Sequence, residues 1–365
     1  MTDSRAPQTI KCLVWDLDNT LWGGILLEND ELALKPAVRE VIEALDARGI
    51  LHSIASRNDP DRALARLTAF GLRDYFLHPQ IGWGAKPDSL RRLAEAINIG
   101  LDAIAFVDDD PFERDQVKHT LPQVLVLDAA EVPRIPGLPA FQPRFVTQDS
   151  GRRREMYQCE IERRQAEARF SGSQEGFLAS LGMRLRITEA QPGDLERAEE
   201  LTIRTHQLNS TGYTYDYDEL DRLRQSPDHL LLVADLEDRY GSYGKIGLAL
   251  VACTAEVWTI KLLLMSCRVM SRGVGAVLLH HIIERARSAG VRLRAEYVPT
   301  DVNRQMFVTL KFAGFEETTA SPATAPEPSM QGVGGGVNRP RVITLETDPV
   351  PLQRPPAYLD VLVGE

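Results

Sequence analysis

Along the first third of the chain, short apolar runs alternate with helix-length amphipathic segments. The runs CLVWDL, LHSIAS, AIAFVD and VLVLDA, with a shorter one near YFLHPQ, predict strands. Between them, PAVREVIEALDARG, DPDRALARLTAFG and KPDSLRRLAEAINIG repeat apolar residues at helical spacing. They stop at Gly49, Gly71 and Gly100, residues suited to the left-handed turn that ends a helix. Strand–helix alternation predicts an α/β fold with a parallel sheet covered on both faces, and a ligand at the carboxyl ends of its strands.

The pattern then changes. Residues 132–148 (VPRIPGLPAFQPRFVTQ) hold four prolines and little periodicity, and read as a linker running over the surface. The Arg/Glu-rich segment GRRREMYQCEIERRQAEARF reads as a solvated bridging helix. From Gln174 a second α/β pattern begins. Helices are predicted at SQEGFLASLG, GDLERAEELTIRTHQL, YDELDRLRQ, VGAVLLHHIIERARSAG and VNRQMFVTLKFAGF. Strands are predicted at MRLRITEA, HLLLVADLED, KIGLALVACTA, VWTIKLLLMSC and VRLRAEYV, with RYGSYG as a hairpin turn. Residues 317–340 are rich in Pro, Gly and Ala and read as mobile, VITLET as a returning edge strand, and the last residues resist placement. The expected organisation is 1–131, a linker and bridging helix at 132–173, a second domain at 174–316, and a C-terminal segment at 317–365.

Composition narrows the function. A chain of 365 residues with 43% hydrophobic and 26% charged residues is globular and suits two domains. A formal net charge of −10 argues against nucleic acid as the main partner, though not against small phosphorylated metabolites. Cys12, Cys159, Cys253 and Cys267 have no paired spacing, so neither a disulfide framework nor a zinc site is expected. With no signal-like apolar run or membrane-length stretch, the expectation is a soluble, cytoplasmic protein with no membrane partner.

Chemistry-bearing residues fall at successive strand ends in the first domain. Asp16 and Asp18 end the first strand, Ser56 the second; Lys86 opens a helix, and Asp108 and Asp109 end a further strand. Parallel strands bring these ends together. Converging carboxylates repel one another unless a hard cation such as Mg²⁺ neutralises them. One aspartate can then attack phosphorus, and the one two residues on can move the protons. Ser56 and Lys86 would bind the phosphoryl oxygens, with Arg57 and Asn58 beside them on the substrate side.

The series DLDNT, Ser56, Lys86 and Asp108-Asp109 resembles the haloacid dehalogenase (HAD) superfamily of phosphohydrolases. The resemblance implies Asp16 as nucleophile, Asp18 as acid/base, Ser56 and Lys86 as phosphate binders. It implies Mg²⁺ on Asp16, Asp18 (through its main-chain carbonyl), Asp108 and Asp109. The short stretch from Asp18 to the next helix leaves no room for a large cap domain.

DLDNTLWGGILLEND, SIASRND, FVDDDPFERDQV, RTHQLNSTG, YGKIGLAL and LLMSCRVMSRGVGAVLL together resemble the FkbH-like family, in which a HAD domain is joined to a fold similar to Gcn5-related N-acetyltransferases (GNAT). That resemblance covers residues 10 to about 316. It implies a HAD-like Rossmannoid domain, a GNAT-like domain, and a glyceryl transferase/phosphatase. Such an enzyme takes 1,3-bisphosphoglycerate and loads a D-glyceryl group onto the phosphopantetheine thiol of an acyl carrier protein (ACP) for polyketide synthesis.

The glycine-rich turn SRGVGAVLL opens a helix whose N–H groups suit a phosphate. The first basic position of the acetyltransferase Arg/Gln-x-x-Gly-x-Gly pattern falls on Met270, which suits the phosphopantetheine arm better than coenzyme A. Cys267 at a strand end reads as a small core residue or as a thiol that attacks an acyl phosphate. Arg268 could pair with a substrate anion. His206, Gln207, Asn209 and Thr211 read as a polar helix end or as a substrate-binding edge with His206 as base. The rival functions are a plain metabolite phosphatase, an N-acetyltransferase with a HAD appendage, and a non-catalytic ACP-docking module.

Overall fold

The computed structural model describes residues 9–28, 31–318, 342–347 and 356–364. The chain divides into two compact units, Met1–Ile161 and Glu162–Glu365. Among the described residues, no helix is long and apolar enough to cross a membrane.

Unit 1 is built on a parallel sheet of five strands, β1 (Cys12–Trp15), β4 (Leu51–Ser56), β5 (Gln80–Ile81), β6 (Ile104–Asp108) and β7 (Leu125–Asp128), in the order β5-β4-β1-β6-β7. Every residue of β1, β4 and β6 is buried, which is why they read as continuous apolar runs and do not alternate. Helices α1 (Val38–Ala47) and α2 (Pro60–Ala69) cover one face, α3 (Lys86–Ile97) and α4 (Pro111–Thr120) the other. Between β1 and α1 lies a two-stranded hairpin, β2 (Trp22–Gly23) and β3 (Ala33–Leu34).

The chain leaves β1 towards β4 on one side and returns to β6 on the other. The reversal of strand order lies beside β1, where an open parallel sheet forms its ligand crevice. In register, Trp15 pairs with Ile54 and Val107, so Asp16 emerges between the ends of β4 and β6.

Two readings change here. The strand expected near Tyr75–Gln80 is reduced to a single bridge of Phe76 to His52 and the two-residue β5 (Gln80–Ile81), with a tight turn at Arg73–Tyr75 before them and a left-handed His78 (φ 46°) between. The stretch read as a surface linker is instead part of unit 1: it coils tightly through Ala129–Gly137 and Pro139–Phe141 and buries Val132, Ile135 and Phe141 in the core. Its prolines supply fixed φ values for that coiling, and the apolar residues between them do the packing. Short helix α5 (Gln148–Gly151) leads to α6 (Arg153–Arg169), the charged helix, within which the two units divide. It is not all solvated face. Arg163 is fully buried, bonded to Asp238 through Nε (2.7 Å) and Nη2 (2.9 Å), with its guanidinium 3.8 Å from the centre of the Tyr243 ring.

Unit 2 holds a mixed sheet of eight strands: β8 (Met183–Glu189), β9 (His229–Asp238), β10 (Gly241–Cys253), β11 (Val257–Met265), β12 (Arg292–Tyr297), β13 (Glu316–Glu317), β14 (Ile343–Thr347) and β15 (Leu359–Val363). Their order is β13-β14-β12-β11-β10-β9-β8-β15, with β11·β12 and β8·β15 parallel and the rest antiparallel. Helices α8 (Leu195–Arg204) and α9 (Tyr217–Gln225) pack on one face; α7 (Gln174–Leu181), α10 (Val274–Ser288) and α11 (Arg304–Phe312) pack on the other.

The returning strand β14 lies inside the sheet, between β12 and the two-residue β13, and not at its edge. The unplaced tail supplies the edge strand β15. The stretch read as mobile, 317–340, falls almost wholly outside the described residues.

Candidate active site

At the carboxyl ends of β1, β4 and β6 three elements deliver their charges to one point. Lys86, first residue of α3, donates from Nζ to Asp16 Oδ1 (2.6 Å) and to Asp108 Oδ2. All three are buried, at 4%, 5% and 0% exposure, and the Ser56 hydroxyl also bonds the Asp16 carboxylate. Carboxylate oxygens of Asp16, Asp108 and half-buried Asp109 lie within 4.8 Å of one another.

One ammonium for three carboxylates leaves the cluster short of positive charge. Burial pushes the Asp16 carboxyl up to about 7; Asp108 adds to the rise, while Lys86 and Ser56 oppose it. Asp108 is likewise raised, chiefly by burial. Burial works against the Lys86 ammonium, but its two carboxylates more than offset this and hold its pKa above the usual lysine value. Oxygen donors with surplus negative charge fit a hard divalent cation such as Mg²⁺.

Four consecutive residues from the end of β4 each have a separate partner. Ser56 meets Asp16; Arg57 Nη1 pairs with Glu113 Oε1 (2.9 Å); Asn58 Nδ2 donates to Asp18 Oδ2 (2.9 Å); Asp59 caps α2 by accepting from Arg62 N (2.9 Å). Asp18 also accepts, at Oδ1, from the Trp22 indole (2.8 Å) and Leu26 N (3.0 Å). The carboxyl is thereby fixed on the flap formed by the β2–β3 hairpin. The turn into that flap needs left-handed backbone at Asn19 (φ 53°), whose side chain accepts from Gly24 N (3.0 Å).

The acidic loop is held from behind. Thr20 and Asp109 exchange two hydrogen bonds (3.1 and 3.0 Å). Arg114 donates to the carbonyls of Asp108 (2.9 Å) and Asp109 (2.6 Å) and pairs with Asp128 (2.6 Å). Thr20 closes the DLDNT motif but was given no role from the sequence, and Trp22, Glu113 and Arg114 were not singled out.

In unit 2 the residues singled out from the sequence sort differently. His206 and Gln207 are exposed, but Asn209 and Thr211 are buried at 0% and 2%. Asn209 Oδ1 accepts from Thr211 N (3.1 Å) and Gly212 N (2.8 Å), and its Nδ2 donates to Thr205 O (3.3 Å). Asn303 Nδ2 donates to Asn209 O (3.0 Å) and Val298 O (2.9 Å), while its Oδ1 accepts from the Tyr297 hydroxyl (2.9 Å).

β11 and β12 pair only as far as Ile260 and Ala295. Beyond that point, Leu208–Ser210 stands against β11: Ser210 N donates to Leu263 O (2.9 Å) and Met265 N to Leu208 O (2.9 Å). Val298 N, just past β12, donates to Ser210 O (3.0 Å). Leu208–Ser210 therefore fills the space between two diverging strands, while His206 and Gln207 stay on the surface.

Cys267 follows β11 in a tight turn, half-buried, and Arg268 Nε bends back to Ser266 Oγ (3.3 Å). In the glycine-rich turn, Gly273 is left-handed (φ 76°) and a β-carbon there would come within 2.8 Å of the Tyr358 hydroxyl. Ser271 also adopts left-handed backbone (φ 67°). Basic Arg272 is buried at 5% exposure.

Residues 22–113 match the family model for haloacid dehalogenase-like hydrolases, so unit 1 carries a hydrolase domain of that kind. The match takes in Ser56, Lys86, Asp108 and Asp109 and begins after Asp16 and Asp18. No curated protein sequence matches the chain.

Among solved structures, the chain is similar to the N-terminal part of the protein BF1531 from Bacteroides fragilis, which contains a phosphatase domain and was solved with Mg. Identity is 28% over 37% of this chain and 41% of that one, with a TM-score of 0.31. It is also similar to the ribosomal-protein-S18-alanine N-acetyltransferase from Escherichia coli, at 18% identity over 44% of this chain and 92% of that one, TM-score 0.33. The GNAT domain of PAT from S. lividans matches at 18% identity over 44% and 89%, TM-score 0.32.

Proposed function

We propose that the chain is a Mg²⁺-dependent glyceryl transferase/phosphatase. It takes 1,3-bisphosphoglycerate, removes phosphate and loads the D-glyceryl group onto the phosphopantetheine thiol of an acyl carrier protein. The phosphatase half rests on one observation: Lys86 buried between Asp16 and Asp108, with Asp109 close by and positive charge lacking.

Asp16, Asp108 and Asp109, with the main-chain carbonyl of Asp18, would hold the metal, which when bound supplies charge for the phosphoryl oxygens. The Asp16 carboxylate forms an O–P bond as the bond to the leaving oxygen breaks, and Asp18 hands that oxygen a proton. Water then attacks the aspartyl phosphate, Asp18 takes its proton, and phosphate leaves with Asp16 restored. Ser56 orients Asp16 through their hydrogen bond, and Lys86 places a fixed positive charge on the phosphoryl side.

The glyceryl half is supported by the sequence motifs of unit 2. The Cys267 thiolate attacks the acyl carbon, a C–S bond forms, and the acyl-phosphate C–O bond breaks with loss of phosphate. The carrier thiol, losing its proton to exposed His206, then displaces Cys267. Arg268 pairs with the remaining anion of the substrate.

The test is incubation with 1,3-bisphosphoglycerate generated in situ, Mg²⁺ and holo-ACP, followed by mass spectrometry of the ACP. A glyceryl adduct that disappears in Asp16→Asn supports the whole reading, with phosphate release falling by roughly a thousandfold or more. Phosphate released beside unmodified ACP leaves a phosphatase alone. Cys267→Ala loading ACP at the wild-type rate removes the thioester step.

A further inference from the structure

Arg57 and Glu113 form a bridge that no step above uses. Arg57 follows directly on Ser56, whose hydroxyl touches Asp16, so its Cα lies one residue step, about 3.8 Å, from that of a residue in contact with the nucleophile. Its side chain is 42% exposed. Glu113 sits in the first turn of α4, behind the loop that carries Asp108 and Asp109, and is 5% exposed. The pair thus joins the loop after β4 to the helix after β6, the two elements that flank the phosphoryl site.

The two partners are unequally satisfied. Glu113 Oε1 holds Arg57 Nη1, while Oε2 is buried without a hydrogen-bond partner among the described residues. A buried carboxylate with one oxygen unmatched is costly as a mere structural brace. Arg57 makes no other hydrogen bond or ion pair among the described residues, so most of its donor fork faces outward from a tethered position. A guanidinium fixed at one nitrogen and open at the others is arranged to receive a planar anion, and it loses less freedom in doing so than an untethered one.

We infer that Glu113 is a positioning residue that holds Arg57 across the mouth of the phosphoryl site, and that Arg57 recognises a second anionic group on the substrate. The inference rests on the phosphatase reading, since it supposes that the first anion is a phosphoryl group on Asp16 and Lys86. It gives the site selectivity between phosphorylated compounds that the metal and Lys86 cannot supply, because those two meet the same phosphoryl group in each of them.

Binding calorimetry on the full chain with Mg²⁺ tests this using two ligands that cannot be hydrolysed. Phosphonoacetate carries a phosphonate and a carboxylate; methylphosphonate carries the phosphonate alone. Wild type should prefer phosphonoacetate by about tenfold or more, the worth of one charge-assisted contact. Arg57→Ala should remove the preference, Glu113→Gln should reduce it, and Arg57→Lys should restore part of it. Methylphosphonate affinity should stay within about twofold throughout, a pattern that a purely structural role would not give.

Equal binding of both ligands by wild type, or a preference that survives in Arg57→Ala, overturns the inference and leaves the phosphatase reading standing. Full preference in Glu113→Gln removes Glu113 from it. Wild type binding neither ligand overturns the phosphoryl site itself, and the inference with it. Arg57→Ala strips buried Glu113 of its counter-charge, so Arg57→Ala/Glu113→Gln, which removes both charges together, tests the lost preference where the single variant does not fold.

Discussion

At the end of β1 in unit 1, three carboxylates share one ammonium; beside β11 in unit 2, Asn209 and Asn303 find partners for their amide groups within their own domain. Both groups are largely buried, and the three aspartates, Lys86 and Asn209 were all singled out from sequence as polar residues at the ends of elements. What separates them is closure. The first has charge left over and needs something from outside the chain to balance it, whereas the second is neutral and complete apart from the buried, unpartnered Thr211 hydroxyl. An imbalance of charge marks a site for chemistry better than burial or polarity does.

The contrast can be broken most forcefully at Lys86. Lys86→Ala leaves Asp16 and Asp108 buried without their counter-charge, and should cost roughly 3–5 kcal/mol in chemical denaturation without metal. If the variant is as stable as wild type, the cluster is not held by that ion pair.

Next in size is Mg²⁺ itself. At about one hundred times its dissociation constant it should stabilise unit 1 by about 2.7 kcal/mol, read as a raised midpoint that EDTA reverses. The transition of unit 2 should not move. A similar loss, about 1–3 kcal/mol, is expected for Asn303→Ala, because the main-chain carbonyls of Asn209 and Val298 lose their donor. This variant should leave phosphate release unchanged, and a fall in the Mg²⁺-dependent activity would blur the distinction between the two clusters.

The effect that is smallest near neutral pH, and grows only on acidification, concerns His52, a buried group in unit 1 that is closed in the manner of unit 2. It accepts from the Trp15 indole (3.1 Å) and meets Ile42 O through Nε2 (3.1 Å), and burial pushes its pKa down to about 3. The unfolded chain takes up a proton below the ordinary histidine value, while the folded protein does not. The stability from neutral His52 is thus present above about pH 6.5 and lost as pH falls towards 3, by about 1.4 kcal/mol per pH unit. Asp16 works with the opposite sign, so the measurement is the difference between wild type and His52→Gln in denaturation across that range. Parallel curves would show that His52 is not held neutral.

Much of unit 1 was legible because its strands are buried on both faces and its helices carry strong start and stop signals. Asp59-Pro60 and Asp110-Pro111 each cap a helix immediately after site residues, so the motif and the fold are written in the same few positions. Lys86, Asp16, Asp108 and Asp109 meet because strand ends in a parallel sheet must. Trp22 and Arg114 were not legible, since nothing in their spacing tells that an indole or a guanidinium turns back onto the loop. The proline-rich stretch misled because fixed φ serves a buried coil as well as a linker. In unit 2, alternation predicted the strands of the hairpin, but not that VITLET enters between β12 and β13. Long-range pairing of that kind leaves no local pattern.

That insertion of β14 bears on how the protein is made. Unit 1 contains all its strands by residue 128, so its sheet can close while synthesis continues. The sheet of unit 2 waits for residues 343–347 to cover β12 and 359–363 to cover β8. Until then both strands present open edges to whatever else is nascent nearby, so premature termination after Phe315 would leave a finished hydrolase domain attached to an adhesive one.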